Sequence, residues 1–240
     1  MHKDTMRIAI MQPYFLPYIG YFQLIAAVDR IVMLDDVNYI NRGWINRNRL
    51  QINGAPAWFT MPLVGASQNK LINEIDIMPD DGWKSRMTTA ISTAYKTAPQ
   101  YARVMPILEQ VLARANGNLS TFLHHSLRTV CDHIGIRTEI IPTSSVHPKG
   151  ELKGQQRILD ICHREQAATY VNLPGGRELY ETSLFDENGI CLRFLNPAFS
   201  TLKARHSTSE GPILSILDLL MLNEPAIVLE AAMSYSLTTS

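Results

Sequence analysis

The first fifty residues change from a short apolar run to helical spacing and back to a short apolar run. Residues 7–11 form the first run, which is typical of a strand buried on both faces. Residues 19–26 place their apolar side chains at helical spacing, and residues 31–34 form the second run. Two strands joined by one helix predict a parallel pair with a right-handed crossover. We therefore expect both strands to end at the same edge of a sheet.

The rest of the chain continues this alternation. A polar loop follows the second strand, and Gly135 has the position of a helix C-cap. Further strands are predicted at residues 56–64, 137–142, 169–173 and 190–195, and we expect the one at 190–195 to be the last. Helices are predicted at residues 82–95, 101–114, 120–133 with Ser120 as N-cap, 155–166 and 215–222, and a helix or turn is predicted at 178–185.

Strands separated by helices indicate an α/β fold, here a three-layer, Rossmann-like and mostly parallel sheet. Repeats, low-complexity tracts and linkers are absent from the sequence. We expect one domain over residues 1–240, with a helical insertion at about 80–133 and a C-terminal helical tail at about 212–240.

Composition limits the classes of partner and the compartment. The chain has 22 Lys and Arg against 22 Asp and Glu, so no global charge points to nucleic acid or to an anionic membrane. Three cysteines without paired spacing favour a reducing cytoplasm over a disulfide scaffold. Apolar runs stay short of membrane-spanning length, so we expect a cytoplasmic protein without a membrane span.

Local charge is more informative than net charge. Between Asp36 and Glu74 there is no acidic residue, whereas three arginines and one lysine fall in this window. Such a window can hold a phosphate or a carboxylate, and it can equally be a solvated basic loop.

Familiar catalytic motifs are missing. The sequence has neither a P-loop nor the GxGxxG dinucleotide fingerprint after its first strand. It also lacks CxxC and HExxH, so we expect no metal, and the sequence leaves any cofactor unassigned. The three cysteines fall in helical or strand patterns and are expected in the core. His147, in a loop beyond a strand end, is the best histidine candidate for acid–base chemistry.

Polar residues and glycines follow several of the predicted strands, and a parallel sheet brings them to one edge, where α/β proteins bind ligands. Ordinary turn chemistry explains any one of them, but explains less well so many at one edge. The strand-end group consists of Gln12, Asp35, Asp36, Asn38, Ser144, Ser145, Asn172, Gly175 and Gly176. Arg42, Trp44, Asn46 and Arg47 lie in the polar loop beside it.

These residue types suggest distinct roles. Arg can bind phosphate or carboxylate through two hydrogen bonds, Trp can stack on a planar ring, and Asn can hydrogen-bond a hydroxyl or amide group. Asp35 or Asp36 would accept a proton from an amine or hydroxyl nucleophile. Capping or loop closure explains the two aspartates equally well.

The segment Tyr18-Ile19-Gly20-Tyr21 resembles the HxGH segment of HIGH-type nucleotidyltransferases, which opens a helix after the first strand and a Pro-containing loop. The resemblance implies a related fold and a substrate-facing position for Tyr18 and Tyr21. Tyrosines stand where that superfamily has the histidines that stabilise the transferring phosphate.

A second resemblance covers nearly the whole chain. The blocks QPYFLPYIGYF, VDRIVMLDDVNYINRGWINRNRL, PTSS, YVNLPGGRELY and SILDLL, in this order, resemble the WbqC-like family. Members of that family occur among genes for bacterial O-antigen and other surface polysaccharides. The resemblance implies a biosynthetic setting more firmly than a reaction.

Two main hypotheses follow. In the first, the protein is a transferase that moves an acyl or aminoacyl group onto the amine of a nucleotide-linked or otherwise activated sugar, with coenzyme A or a carrier protein as donor. Arg42, Arg47 and Arg49 would then hold phosphate, and amides near Gly175 and Gly176 would hold an oxyanion. In the second, it is a non-catalytic module that binds a nucleotide or nucleotide sugar on a degenerate nucleotidyltransferase fold. A weaker third option is a scaffold that uses the helix at 215–222 as an interface.

Overall fold

The computed structural model describes residues 6–198, 202 and 214–239 of the 240-residue chain. In these ranges the strands are β1 (Arg7–Met11), β2 (Arg30–Met33), β3 (Arg47–Ile52), β4 (Ala55–Thr60), β5 (Leu63–Val64), β6 (Asp76–Ile77), β7 (Glu139–Ile141), β8 (Thr169–Asn172), β9 (Cys191–Pro197) and β10 (Tyr235–Thr238). The helices are α1 (Ile19–Ala26), α2 (Trp83–Tyr95), α3 (Tyr101–Ala113), α4 (Leu119–Ile134), α5 (Gly154–Arg164), α6 (Thr182–Glu187), α7 (Ile216–Leu222) and α8 (Pro225–Ala232). Short 3₁₀ helices span Ile72–Glu74, Ser144–Val146 and Pro174–Leu179.

Six strands form the main sheet in the order β10-β9-β8-β1-β2-β7. Every neighbouring pair is parallel except β9 and β10. From β1 the chain adds β2 and β7 on one side and then returns to place β8 and β9 on the other. The order therefore reverses between β1 and β8, and this switch point is where open α/β sheets bind ligands.

Successive residues of β1 face opposite layers, as the period of a strand requires. Ala9 packs in a cluster with Phe22 of α1, whereas Ile8 and Ile10 pack with Ile158 of α5. Helices thus cover both faces of the sheet, and the predicted Rossmann-like, three-layer α/β fold is confirmed. In the described ranges, no helix is both long and apolar enough to cross a membrane.

The segment after β2 differs from its prediction. The predicted polar loop and the predicted strand at 56–64 form instead a β3–β4 hairpin, and the short β5 follows it after Pro62. Asn53 and Gly54 make the turn with φ of 50° and 80°. Positive φ at both positions is the geometry of a type I′ turn, for which Asn-Gly is the strongest local signal. The predicted strand thus corresponds to β4 and β5, whereas β3 and the turn were not predicted because the Asn-Gly pair was not used.

Three helices lie where the sequence predicted them, and one has a different cap. α2, α3 and α4 lie between β6 and β7, and Gly135 ends α4 with a φ of 92°. Asn118, whose side chain accepts from Thr121 N, caps α4 in place of Ser120. The hydroxyl of Ser120 instead donates to Asp35.

The C-terminal segment also differs from its prediction. The strand predicted at 190–195 was expected to be the last, but β10 follows it and pairs antiparallel with β9. Residues 214–239 therefore hold two helices and a strand. Gln23 of α1 fixes this segment, since its buried amide donates to the carbonyls of Ala198, Ala231 and Ser234.

Candidate functional site

A cavity of about 540 Å³ lies at the carboxyl ends of β1 and β8, at the switch point of the sheet. This volume is within the usual range of small-molecule sites. Its walls come from the end of β1 and the loop after it, from Leu34 and the polar loop after β2, from the start of β3 and from the 3₁₀ helix after β8. The lining residues are Ile10, Met11, Gln12, Tyr14, Pro17, Tyr18, Leu34, Ile40, Trp44, Asn48, Asn172, Leu173, Pro174, Gly175, Gly176, Leu179 and Tyr180.

Three polar side chains of the cavity have unused hydrogen-bonding capacity. No residue in the described ranges bonds the amide of Gln12 or the hydroxyl of Tyr14 or Tyr18. Burial raises the pKa of Tyr14, and burial together with the neighbouring Tyr14 raises the pKa of Tyr18 to about 12. Both hydroxyls therefore remain protonated donors at neutral pH.

The loop after β1 packs so that Tyr18, and not Tyr21, reaches the cavity. A Cβ on Gly20 would lie 2.4 Å from the ring of Tyr18, so the absence of a side chain lets that ring fold over the helix start. Tyr21 is fully buried, and its hydroxyl donates to the carbonyl of Gln12 at 2.9 Å. Tyr21 thus fixes the backbone of the loop.

Two asparagines of the cavity wall are occupied by internal bonds. Asn48 donates to the carbonyls of Phe15 and Leu16 at 3.1 and 2.8 Å, which ties β3 to the loop after β1. Asn172 accepts from the N–H of Leu173 at 2.7 Å at the end of β8. Both residues shape the wall.

The two predicted glycines have different environments. A Cβ on Gly175 would meet no atom within 4 Å, whereas one on Gly176 would lie 2.6 Å from Nδ2 of Asn172. The missing side chain of Gly176 therefore leaves the room that the amide of Asn172 occupies.

Asp35 lies at the centre of a buried hydrogen-bond network. It is 1% exposed and accepts from Ser120 Oγ at 2.5 Å, Thr143 Oγ1 at 2.7 Å and Ser144 N at 3.1 Å. These donors come from α4 and from the segment after β7, so the carboxylate joins the insertion to the sheet. It is not among the residues that line the cavity.

Asp36 is equally enclosed. It is 5% exposed, accepts from Ser144 Oγ at 2.6 Å and pairs with Nη2 of Arg157 at 2.9 Å. Arg157, 2% exposed, also donates to the carbonyls of Ser144 and His147. This buried ion pair holds α5 against the segment after β2, and Asp36 does not line the cavity.

An aromatic and cationic wall stands beside the cavity. Trp44 lines the cavity, and its ring centroid lies 5.2 Å from that of Trp58 on β4. The guanidinium of Arg47 lies 4.1 Å above Trp58, and that of Arg49 lies 5.1 Å from Trp44. The two arginines thus pack against the tryptophan rings and do not line the cavity.

The other predicted residues of the polar loop have internal partners or face solvent. Arg42 is exposed with a φ of 59°, and its carbonyl accepts from Arg47. Asn46 is buried, where it accepts from Tyr39 Oη at 2.8 Å and donates to Met61 O at 2.7 Å. Asn46 therefore closes the loop.

His147 and Asn38 lie away from the cavity wall. Nε2 of His147 is 2.7 Å from Glu165, which also pairs with Arg30 at the start of β2, the opposite end of the strand. Asn38 is exposed and donates to Gln68 O at 2.6 Å. Ser145 is exposed as well, and accepts from Asn73.

Several residues that line the cavity were not predicted from the sequence. Tyr14 is two residues beyond Gln12 in the same loop, and Leu34 follows β2 directly, so their position after a strand was an available signal. Ile40 and Leu179 are 49% and 68% exposed although they are apolar, and both lie at the cavity. Apolar residues inside polar loops were the signal for this pair.

Within the described ranges, no group of three His, Cys, Asp or Glu side chains is placed to hold a metal ion. Cys131 and Cys162 are buried as predicted, and burial raises the pKa of both thiols, that of Cys131 to about 12. Cys191 is partly exposed at the start of β9.

The chain has a Rossmann-like α/β fold with a cavity at its topological switch point. The chain belongs to the WbqC-like protein family, whose model matches residues 12–229. It is 30% identical over 217 residues to the uncharacterized protein Rv1507c of Mycobacterium tuberculosis. This alignment covers 89% of this chain and 92% of that protein. No solved structure matches the chain. The relation to HIGH-type nucleotidyltransferases stays a resemblance of one segment.

Proposed function

We propose that the protein is a transferase of surface polysaccharide biosynthesis that binds a nucleotide-linked sugar in the switch-point cavity. The observation that carries this proposal is the group formed by Gln12, Tyr14 and Tyr18, three side chains with free hydrogen-bonding capacity, together with Trp44. An aromatic face beside amide and hydroxyl groups suits a ring that carries hydroxyl groups. The WbqC-like family supplies the biosynthetic setting.

The reaction that suits this cavity is acyl transfer to an amine of the bound sugar. The amine lone pair attacks the acyl carbonyl carbon, the bond from that carbon to the donor's sulfur breaks, and the sulfur leaves with the electron pair and receives the proton lost by the amine. The carbonyl oxygen gains negative charge during the attack. The hydroxyls of Tyr14 and Tyr18, which stay protonated, are donors suited to stabilise that oxygen. Coenzyme A or the prosthetic arm of a carrier protein would deliver the acyl group.

One observation favours a second candidate, a non-catalytic module that binds nucleotide sugars. Among the described residues that line the cavity there is no carboxylate, imidazole or thiol. Asp35 and Asp36, the predicted bases, have their oxygens occupied by buried donors. The two candidates share the ligand and differ in whether a product forms.

Both candidates bind a nucleotide sugar, and calorimetric titration with a panel of nucleotide sugars tests this binding. Tyr18→Phe removes one hydroxyl and is expected to weaken binding about two- to tenfold, the value of a neutral hydrogen bond. Tyr101→Phe makes the same change on α3, where the hydroxyl bonds Ser92, and is expected to leave binding unchanged. Equal affinity of wild type and Tyr18→Phe for every ligand that binds contradicts the proposed recognition.

Binding is expected to be independent of pH between about pH 7 and pH 9.5. A tyrosine donates its hydroxyl proton only below its pKa, and the ordinary value of about 10 is raised for both Tyr14 and Tyr18. The measurement is the same titration repeated across this range, with thermal melts to confirm that the protein stays folded. A loss of affinity with a midpoint below about pH 9 would show that another group controls binding.

Product formation separates the two candidates. Incubation with acyl coenzyme A and the amino-sugar nucleotide that binds most tightly, followed by mass spectrometry, is expected to show the amide product. Tight binding without product, with both coenzyme A and carrier-protein donors, supports the binding module.

A further inference from the structure

A second recess of about 350 Å³ adjoins the cavity. The two share Leu34, Leu179 and Tyr180 as walls, so a single ligand of moderate length can occupy both. The recess lies between the segment after β2 and the start of α5.

Two lysines line this recess, and the ammonium group of each can bind an anion. Nζ of Lys149 donates to the carbonyl of Asp36 at 2.7 Å, which fixes the ammonium at the recess and leaves two of its three protons free. Lys153 is exposed, and its ammonium makes no bond to any residue that the structure describes.

The start of α5 also lines the recess. This helix of 11 residues begins at Gly154 and has no side-chain cap, so its first N–H groups lack intrahelical partners and its dipole favours an anion. Arg157, 2% exposed, lines the same recess, and its buried Nε has no hydrogen-bond partner within the described ranges. Two lysines, the side chain of Arg157 and an uncapped helix start thus line one recess.

We infer that this recess binds the phosphate or diphosphate group of the ligand whose ring occupies the cavity. This inference rests on the proposed function for the identity of the ring, while the anion site itself follows from the recess. Phosphate oxygens accept from the two lysine ammonium groups and from the N–H groups at the start of α5.

The arginines of the polar loop are less suited to this task. Arg47 already donates to the carbonyls of Gly43 and Arg42 and stacks on Trp58. Arg49 lies against both tryptophans. Neither lines the cavity or the recess, so the anion site differs from the one that the sequence suggested.

The test uses inorganic pyrophosphate as the probe in calorimetric titrations. Lys153→Gln is expected to weaken pyrophosphate binding about tenfold and Lys153→Glu further, because each removes a charge-assisted bond. Lys149→Gln is expected to have a similar effect. Lys96→Gln removes an exposed lysine at the end of α2 and is the matched control, with affinity expected to equal that of wild type.

The outcomes separate this inference from the proposed function. Failure of wild type to bind pyrophosphate, or equal affinity in wild type and both Lys153 variants, overturns the anion site. Because Lys153 is exposed and without a partner among the described residues, these variants are expected to fold, which thermal melts check. Pyrophosphate binding that depends on the lysines, with no nucleotide sugar bound by wild type, supports the anion site and contradicts the proposed function. Nucleotide-sugar binding whose affinity is unchanged by the Lys149 and Lys153 substitutions supports the proposed function and contradicts the anion site.

Discussion

Replacement of Asp36 by alanine is expected to destabilise the protein by about 3–5 kcal/mol, the usual cost of leaving one charge of a buried pair without its partner. Arg157, 2% exposed, would remain in the interior with its main ion pair lost. Ser144 would lose an acceptor for its hydroxyl at the same time. For a chain of this size, we expect the midpoint of thermal unfolding to fall by roughly 6–20 °C.

Denaturant unfolding followed by circular dichroism measures this effect. Asp132→Ala is the control, because its carboxylate forms exposed pairs with Arg128 and Arg137 and its loss is expected to cost less than about 1 kcal/mol. Adding Arg157→Met to Asp36→Ala is expected to cost less than the sum of the two single changes, because the pair is coupled. An Asp36→Ala protein as stable as wild type but without activity would return Asp36 to a catalytic role.

Replacement of Gly176 by alanine is expected to destabilise the protein by about 1–3 kcal/mol, the usual cost of overpacking. The new methyl group would lie 2.6 Å from Nδ2 of Asn172, so either the buried amide of Asn172 or the 3₁₀ helix Pro174–Leu179 must shift. Because both residues line the cavity, we expect ligand affinity to fall as well.

Gly175→Ala is the matched control from the next position along the chain. Its methyl group would meet no atom within 4 Å, and we expect a change in stability between zero and a gain of about 1 kcal/mol. Thermal melts and titrations of both variants measure the contrast. Equal stability of the two variants would show that the 3₁₀ helix adapts freely and that the cavity wall is not fixed by this contact.

The sequence predicted the part of the fold that depends on local periodicity. The apolar run at residues 7–11 and the helical spacing at 19–26 correspond to β1 and α1 within a residue. Because β1 is buried on both faces, its residues form a continuous apolar run, which can be recognised without knowing the strands that pair with it. β10 could not be predicted in the same way, because its pattern is short and its pairing with β9 depends on a tertiary contact.

The candidate site was predicted in outline by the convergence of strand ends. Gln12, Trp44, Asn172 and the two glycines do line the cavity. The environment of the aspartates was not predictable, because the partner of Asp36 is Arg157, which lies 121 residues away in sequence. One signal was present, since Arg157 is one turn before Ile161 and so shares the inward face of α5. A charged residue on an inward helical face indicates a buried partner elsewhere.

In the proposed function, a nucleotide-linked sugar occupies the cavity between the ends of β1 and β8. Hydrogen exchange with and without the tightest-binding nucleotide sugar would show where on the chain this ligand binds. We predict slower exchange in the loop of residues 12–18 and in Pro174–Leu179, with the β3–β4 turn at Asn53 and Gly54 unchanged. Protection confined to regions outside the cavity, or no protection with any member of the panel, would contradict the claim.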